Sequence, residues 1–404
     1  MSNFSIRELP NACLVMSDGK FFLGYQIGIK GEVVGEACFS TAMTGYQEAI
    51  TDPSYTEQIL FFTCPHMGNT GVNNDDKEKD IVGVKGIVLC NFVHLGSNQR
   101  ANDNFDKWLC ENKIVGIYGL DVRAITRYLA SKGCNVSCII ASYPYGIKSL
   151  NSNFFKSKKG DNDSLQYIRS LHSKLCNQKM KSNTDLAKNV VCNEPFSWEN
   201  GHWSVSAMHR NNLRVAVIDF GVKLSILRFL YSLGCNVKVF PYTVNINEIS
   251  SYKPNGILLS NGPGDPMQTF IDCKDLLMSF LYSNIPLFGI CFGHQLLALA
   301  LGAKTHKMDH GHRSITHPVF DVINNCTYIT TQNHGFVVDK TTLDTEEIQI
   351  THTSLIDGSI EGIKSIKNKA FSVQYHPECA PGPSDSIYLF NDFVHMMKKD
   401  IHYC

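Results

Sequence analysis

The sequence has no excess of charge of either sign. Its 404 residues include 37 lysines and arginines and 37 aspartates and glutamates, so the formal net charge at pH 7 is zero with neutral histidines. Without a basic surplus, there is no electrostatic basis for binding a nucleic acid or an anionic membrane surface. A small neutral or zwitterionic metabolite fits this composition at least as well.

The fifteen cysteines lack the spacing of a zinc ribbon or a disulfide framework. They are spread from Cys13 to Cys404, no two are spaced as CxxC, and the closest pair is Cys134 and Cys138. Such spacing favours reduced cysteines that fill a core as small apolar side chains. Cys291 needs a different explanation.

The sequence also lacks a recognisable targeting or membrane-spanning segment. The first twenty residues mix acidic and basic side chains, unlike a secretory signal or a transit peptide. The most apolar stretch, residues 285–303, contains a histidine, a glutamine and three glycines, which a spanning helix tolerates poorly. These features predict a cytoplasmic protein.

The length of the chain predicts more than one domain. Residues 1–150 contain several short β-branched runs, which predict an α+β domain rich in β-strand, with a helix between Asp121 and Gly133. Residues 151–212 are rich in Asn, Ser and Lys and predict a linker with a few short ordered pieces.

In residues 213–404 apolar strands alternate with amphipathic helices. This alternation predicts an α/β domain whose mainly parallel sheet is flanked by helices on both faces. Ligands of such sheets bind at the carboxyl ends of the strands, so the loops that follow the strands are the candidate sites.

The strongest local motif is Gly289-x-Cys291-x-Gly293, which joins an apolar strand to an amphipathic helix. This is the pattern of the G-x-S-x-G nucleophile elbow, with sulfur in place of oxygen. The glycines permit a sharp turn that exposes the side chain, and the helix N-terminus stabilises a thiolate. A core cysteine between two glycines is the alternative interpretation of this motif alone.

A second motif is His376-Pro377-Glu378, which follows another apolar strand. On extended backbone the two side chains point to the same side, so the carboxylate could hold the imidazole in one tautomer for proton transfer. A capped turn explains the motif equally well when it is taken alone.

Two further loops follow strands. Asn261-Gly-Pro-Gly264-Asp-Pro can direct backbone N–H groups at a ligand, and Asn333-His-Gly335-Phe336 can bind an amino-acid head group. A generic turn remains an alternative for each loop.

The order and separation of these four motifs resemble the class I glutamine amidotransferases. Residues 40–54 (STAMTGYQEAITDPS), 64–69 (CPHMGN), 121–127 (DVRAITR) and 219–223 (DFGVK) further resemble the small, glutamine-hydrolysing subunits of carbamoyl-phosphate synthases. The resemblance covers nearly the full length of the chain. It places the glutaminase domain last, behind a domain that other amidotransferases lack.

The resemblance implies a role for each matching position. Cys291 would be the nucleophile, His376 the general base and acid, and Glu378 the residue that orients His376. The N–H groups of Phe292 and Gly264 would stabilise the oxyanion. L-glutamine would be held by these two residues and by six others: Ser54, Gly262, Gln295, Asn333, Gly335 and Phe336.

The sequence departs from the family pattern at three of the positions compared. Phe292 stands where Leu or Tyr is expected, Ser225 replaces an asparagine, and Cys379 replaces a common alanine. None of these changes removes a catalytic group. For Ser54, an ordinary Asp-Pro-Ser turn is the alternative to a role in binding.

The resemblance also implies a partner. Ammonia would pass to a separate large ATP-grasp subunit, which would hold ATP and magnesium and make carbamoyl phosphate, while this chain would need no cofactor. Arg123 and Arg127 could help dock that subunit, although a solvated helix face explains them equally well. A glutamine-binding scaffold without turnover, or a stand-alone amidase, is the alternative function.

Four histidines at positions 306, 310, 312 and 317 crowd one segment. No cysteine or carboxylate pattern accompanies them beyond Asp309, so the sequence predicts a polar loop there and no metal site.

Overall fold

A computed structural model describes residues 9–80, 82–133, 136–143, 163–178, 184–203, 209 and 211–401. The chain divides into two compact units. Unit 1 comprises residues 1–46, 57–74 and 84–181, and unit 2 comprises residues 47–56, 75–83 and 182–404. Two short segments of the predicted N-terminal domain therefore belong to unit 2. Much of the predicted linker (151–162, 179–183, 204–208 and 210) lies outside the described residues, as does Cys134.

Unit 1 is built around a closed barrel of seven strands in the order β1-β2-β6-β5-β4-β3-β7. The strands are β1 (Ala12–Met16), β2 (Phe21–Gly28), β3 (Glu32–Ser40), β4 (Gln58–Phe62), β5 (Gly86–Val88), β6 (Val115–Tyr118) and β7 (Ser137–Ser142). Three neighbouring pairs, from β3 to β6, are parallel, and the other four pairs are antiparallel. The predicted strand-rich N-terminal region is thus confirmed.

Three helices accompany the barrel: α2 (Phe105–Glu111), α3 (Val122–Lys132) and α4 (Asp163–Asn177). Helix α3 is the one predicted between Asp121 and Gly133. The Asp121 carboxylate accepts a hydrogen bond from the Ala124 N–H at 2.9 Å and so satisfies a donor that the first turn leaves unpaired. Its inner face packs Ile125 and Leu129 into the barrel core. Helix α4 has fifteen residues, more than the short ordered pieces predicted for this region.

Unit 2 contains a ten-stranded sheet in the order β14-β13-β15-β16-β17-β12-β11-β9-β10-β8. The strands are β8 (Phe196–Trp198), β9 (Arg214–Asp219), β10 (Asn236–Pro241), β11 (Gly256–Leu259), β12 (Leu287–Ile290), β13 (Thr305–Asp321), β14 (Cys326–Val338), β15 (Ile348–Ser354), β16 (Ile360–Ser365) and β17 (Ala370–Val373). Only the run from β17 to β10 is parallel, and the other five pairings are antiparallel. The prediction of a mainly parallel sheet was wrong for the whole sheet and holds only for its centre.

The helices of unit 2 are α1 (Tyr46–Thr51, which starts at the last residue of a unit 1 segment), α5 (Leu224–Ser232), α6 (Ile246–Tyr252), α7 (Pro266–Tyr282), α8 (Phe292–Ala300) and α9 (Tyr388–Ile401). Strand β9 shows how they cover the sheet. Val215 and Val217 belong to one core with residues of α5 and α9, whereas Ala216 and Ile218 belong to another with residues of α6, α7 and α8. This alternation follows from the period of two along a strand, and it buries both faces.

Two predicted loops are strands. Residues 331–336 lie inside β14, and the histidines from 306 to 317 lie inside β13. These strands form a long antiparallel pair whose backbone groups bond each other, which local turn chemistry does not reveal. Within the described ranges, no helix is long and apolar enough to cross a membrane.

Candidate active site

Cys291 lies on a strained turn between β12 and α8. Its φ is +54° and its ψ −100°, a conformation that costs a non-glycine residue energy and persists only where its surroundings impose it. The flanking glycines are what allow this turn. A Cβ on Gly289 would lie 2.7 Å from the Gly293 carbonyl oxygen, and one on Gly293 would lie 2.2 Å from that of Leu259.

His376 and Glu378 lie beyond the end of β17, the parallel neighbour of β12. The two strands therefore direct their carboxyl ends to the same edge of the sheet. His376 Nδ1 is 2.7 Å from Glu378 Oε1, and both side chains are buried. His376 Nε2 has no hydrogen-bond partner among the described residues, and the Cys291 thiol is close enough to raise the pKa of this imidazole.

Lys223 was not among the predicted site residues. Its Nζ lies 2.9 Å from Glu378 Oε1 and donates to the Ala380 carbonyl at 2.7 Å, and the side chain is almost wholly buried. Lys223 belongs to the DFGVK segment, which indicated the family but did not indicate that this lysine contacts Glu378.

The charges of this group stabilise one another. Burial opposes ionisation of Glu378, but Lys223 and then His376 outweigh it and lower the pKa of the carboxyl. Burial likewise opposes the charged form of His376, but Glu378 and then Cys291 raise its pKa. The arrangement favours an imidazolium beside the sulfur and a carboxylate behind the ring.

Two glutamine side chains link Cys291 to the part of β14 that contains the predicted substrate-binding residues. Gln295 Nε2 donates to the Phe336 carbonyl at 2.8 Å and to Gln374 Oε1 at 3.0 Å. Gln374 Nε2 in turn lies 3.7 Å from Cys291 Sγ, and the thiol faces the Asn333 carbonyl at 3.6 Å. Gln374 was not predicted, because a glutamine after a strand carries no local signal.

The segment 47–56 brings Ser54 to the same part of unit 2. Ser54 Oγ accepts a hydrogen bond from Asn261 Nδ2 at 3.0 Å, and Asn261 Oδ1 accepts one from the Lys223 N–H at 3.0 Å. Asp52, two residues earlier, accepts a hydrogen bond from Asn333 Nδ2 at 2.8 Å. Asp52 also escaped prediction, since the Asp-Pro-Ser sequence looks like an ordinary turn.

The loop after β11 comes close to neighbouring backbone at both of its glycines. A Cβ on Gly262 would lie 2.5 Å from the Phe220 carbonyl oxygen, and Gly264 has φ +96°. Phe292 is the first residue of α8, so its N–H has no carbonyl acceptor within the helix. Gly335 lies in β14 between Asn333, whose carbonyl faces Cys291, and Phe336, whose carbonyl accepts from Gln295.

Taken together, these groups can perform nucleophilic acyl transfer. A thiol at an elbow, an imidazole with a free nitrogen and a carboxylate behind that imidazole are the parts such a reaction requires. Among the described residues the only cluster of candidate metal ligands includes none of these three side chains.

Residues 216–396 match the family model described as glutamine amidotransferase class-I, and residues 14–139 match the carbamoyl-phosphate synthase small chain, CPSase domain. The first match covers most of unit 2 and contains Cys291, His376 and Glu378.

Curated relatives match almost the whole chain. The carbamoyl phosphate synthase small chain of Vibrio parahaemolyticus is 40% identical over 395 residues, which cover 96% of this chain and 98% of that protein. The one from Bartonella bacilliformis is 43% identical and covers 96% and 94%. The one from Escherichia coli O6:H1 is 40% identical and covers 97% and 98%. Identity at this level over this length shows that the chain belongs to the family of carbamoyl phosphate synthase small chains.

Proposed function

We propose that this chain hydrolyses L-glutamine with Cys291, His376 and Glu378 and supplies the ammonia to a separate carbamoyl phosphate synthase large subunit. The observation that carries the proposal is the buried constellation itself. The candidate nucleophile, Cys291, lies on a strained elbow beside the His376 imidazole. The Nδ1 atom of this imidazole is hydrogen-bonded to the Glu378 carboxylate.

The reaction begins when the Cys291 sulfur, whose proton has already passed to His376 Nε2, attacks the side-chain amide carbon of glutamine. The tetrahedral oxyanion that forms is held by the N–H groups of Phe292 and Gly264. His376 then returns the proton to the departing nitrogen, so the C–N bond breaks, ammonia leaves and a glutamyl thioester remains. Water attacks the thioester with His376 again as base, which releases glutamate and the thiol.

Glu378 and Lys223 act on His376 rather than on the substrate. The bond from Nδ1 to Glu378 fixes the ring and leaves Nε2 for proton transfer. Lys223 keeps Glu378 ionised at the pH of the reaction, since its ammonium lowers the pKa of that carboxyl. The substrate is held by Gln295, by Ser54 and Gly262, and by Asn333, Gly335 and Phe336 of β14.

The large subunit accounts for the fate of ammonia. Ammonium, the form that predominates in neutral water, has no lone pair for attack, so the released base must reach its acceptor before it is protonated. ATP and magnesium belong to the large subunit in this proposal, together with bicarbonate activation. The support is the small-chain name carried by the relatives.

The test is Cys291→Ser in the complex with the cognate large subunit. We expect glutamine-dependent synthesis of carbamoyl phosphate to be abolished and ammonia-dependent synthesis to remain, because the variant removes only the nucleophile. Cys379→Ala is the matched control, since Cys379 lies near His376 in sequence and is given no catalytic role. Glutaminase turnover that survives in Cys291→Ser would exclude this mechanism.

Two other outcomes identify the alternatives. Glutamine binding without turnover in the wild-type complex would indicate a scaffold subunit. Full glutaminase activity without any large subunit would indicate a stand-alone amidase.

A further inference from the structure

A second cluster of chemical groups includes His334 of β14, which lies among the predicted substrate-binding residues Asn333, Gly335 and Phe336. His312 of β13, His334 of β14 and Glu361 of β16 each offer one ligand atom, and these atoms lie within 4.8 Å of one another. His312 Nδ1 is 3.5 Å and His334 Nε2 is 4.0 Å from Glu361 Oε1. Side-chain exposure is 11% for His312, 2% for His334 and zero for Glu361.

The hydrogen bonds of the two rings determine which nitrogens face the centre of this cluster. His312 Nε2 lies 3.0 Å from Asp357 Oδ2, so the proton of the neutral ring belongs on Nε2 and the lone pair on Nδ1. His334 Nδ1 lies 2.8 Å from the Phe336 carbonyl, so its proton belongs on Nδ1 and the lone pair on Nε2. In the neutral rings both lone pairs therefore point toward Glu361. Burial opposes the charged form of His312, but Glu361 and Asp357 outweigh it and raise its pKa, so a bound ion would displace a proton from Nδ1.

Gln332 adds a fourth electron-pair donor. Its Nε2 donates to Glu361 Oε2 at 2.8 Å, which fixes the orientation of the amide. Its Oε1 then faces His334 Nε2 at 3.0 Å, with no proton available between the two atoms. Two nitrogen and two oxygen lone pairs thus converge in a buried space, an arrangement that repels unless a cation or added protons lie between them.

We propose that His312, His334, Glu361 and the Gln332 amide oxygen form a binding site for a divalent transition metal ion such as Zn²⁺ or Co²⁺. Imidazole nitrogens favour these ions over Mg²⁺ and Ca²⁺, which prefer oxygen ligands alone. Ligand atoms about 2.1 Å from a tetrahedral ion lie roughly 3.4 Å apart. The 3.5 Å between His312 and Glu361 already fits this spacing, and the 4.0 Å between His334 and Glu361 would shorten on binding. The Asp357 carboxylate accepts a hydrogen bond from His312 Nε2, the nitrogen that faces away from the proposed ion. Carboxylates commonly accept such a bond from metal-bound histidines.

The site is connected to Gln295 by a shared hydrogen-bond acceptor. The Phe336 carbonyl accepts from His334 Nδ1 and from Gln295 Nε2, each at 2.8 Å. The backbone carbonyl of Glu361 also accepts from the N–H of Gln374, whose side chain lies 3.7 Å from Cys291 Sγ. A bound ion would hold the strands behind the active site, a structural role that does not depend on the proposed reaction.

The experiment titrates Co²⁺ into the metal-free full-length chain and follows visible absorption and calorimetric heat. We expect one equivalent to bind with the d–d bands of nitrogen and oxygen ligands and without the intense near-ultraviolet bands of thiolate ligation. Glu361→Gln and His312→Asn should each weaken binding at least about tenfold. His306→Asn and His310→Asn, exposed positions on the same strand, should leave the affinity unchanged.

Thermal unfolding measured with and without Co²⁺ gives an independent readout. The ion should raise the midpoint of the wild type and should not raise that of Glu361→Gln, provided the metal-free variant keeps its folded circular dichroism. If Glu361→Gln does not fold, His312→Asn, at the more exposed ligand, gives the same comparison. Three results would overturn the proposal. They are no Co²⁺ binding by the wild type, absorption bands of thiolate ligation, or an affinity in both ligand variants equal to that of the wild type. The cluster would then be a network bridged by protons between His312, Asp357 and Glu361.

Discussion

At the residue scale, the glycines around Cys291 determine whether the proposed nucleophile can be exposed at the turn. A methyl group on Gly293 would meet the carbonyl of Leu259 at 2.2 Å, a backbone atom that cannot rotate away. We expect Gly293→Ala to displace the elbow, to destabilise the protein by about 2 kcal/mol or more, and to reduce glutaminase activity roughly a hundredfold. Urea unfolding and steady-state assays measure the two effects.

Gly31→Ala is the control for this change. Its added Cβ would make an ordinary contact with Val115 at 3.4 Å, so stability and activity should stay near those of the wild type. An active Gly293→Ala enzyme would mean that the elbow does not depend on the close approach of the two backbones.

Lys223 is the residue whose removal should disturb the site most without changing the proposed nucleophile, Cys291. Its ammonium is buried beside the carboxylates of Glu378, Glu78 and Asp52, which raise its pKa against the effect of burial. Lys223→Met leaves these carboxylates without their shared cation, a loss of about 3–5 kcal/mol in the free energy of unfolding. Denaturant unfolding at neutral pH measures it.

The pH dependence of this loss has a definite sign. The folded pKa of Glu378 lies below its unfolded value, so its contribution is present above the unfolded pKa of about 4.3 and is lost as pH falls through the folded value. The difference in the free energy of unfolding between the wild type and Lys223→Met should therefore become smaller in acid. Lys367→Met breaks an exposed ion pair with Glu347 and should not shift the unfolding midpoint. A gap independent of pH would contradict this account.

The sequence predicts the site residues whose side-chain chemistry a short motif suggests, and it does not predict those that act through a contact with a distant residue. Cys291 lies between diagnostic glycines, and His376 and Glu378 are two residues apart, so short patterns suffice to suggest them. Lys223 contacts Glu378, and Gln374 contacts Cys291, across long separations in the chain. Their importance is a property of three-dimensional proximity, which residue spacing alone does not contain.

At the element scale, the segment 75–83 supplies a buried acid to α5. Glu78 Oε2 accepts from the Ser225 N–H at 3.0 Å and Oε1 accepts from the Ser225 hydroxyl, at the start of a helix that has no side-chain cap of its own. Burial raises the pKa of Glu78, although Lys223 and Ser225 oppose this. Ser225, which replaces the expected asparagine, is therefore a partner for Glu78 and not a simple loss.

We expect Glu78→Ala to destabilise unit 2 by about 2–4 kcal/mol, because two buried donors and the Lys223 charge lose an acceptor. Hydrogen exchange of the α5 amides should accelerate while that of the barrel strands should not. Asp80→Ala, at an exposed position in the same segment, should leave both unchanged. Equal acceleration in the barrel would show that the effect is not confined to unit 2.

Strand and helix positions were predictable where one face of the element is buried, and the pairing partners were not. The helix between Asp121 and Gly133 was predicted as observed, because its apolar residues recur on one face and an aspartate precedes it. The antiparallel half of the sheet was missed because β13 and β14 are polar over much of their length. Their pairing depends on partners that hydrophobic periodicity does not reveal.

At the scale of the whole molecule, unit 2 is not a continuous stretch of sequence. Residues 182–404 produced alone would lack the segments 47–56 and 75–83, and with them Asp52, Ser54 and Glu78. We expect this fragment to unfold at a lower temperature than unit 2 does in the full chain, which differential scanning calorimetry measures. Adding the fragment 1–181 should restore part of the difference. Equal melting of the fragment and the full chain would show that the two segments contribute little.

The division of the chain has a consequence for its synthesis and for its history. Two segments of unit 2 leave the ribosome before most of the strands and helices that they pack against have been translated. Glu78 therefore stays solvated during synthesis until Lys223 and Ser225 have been translated. For the same reason, a gene fusion with a single crossover point cannot replace the whole of unit 2 by another glutaminase domain. The segments 47–56 and 75–83 would remain from the original protein.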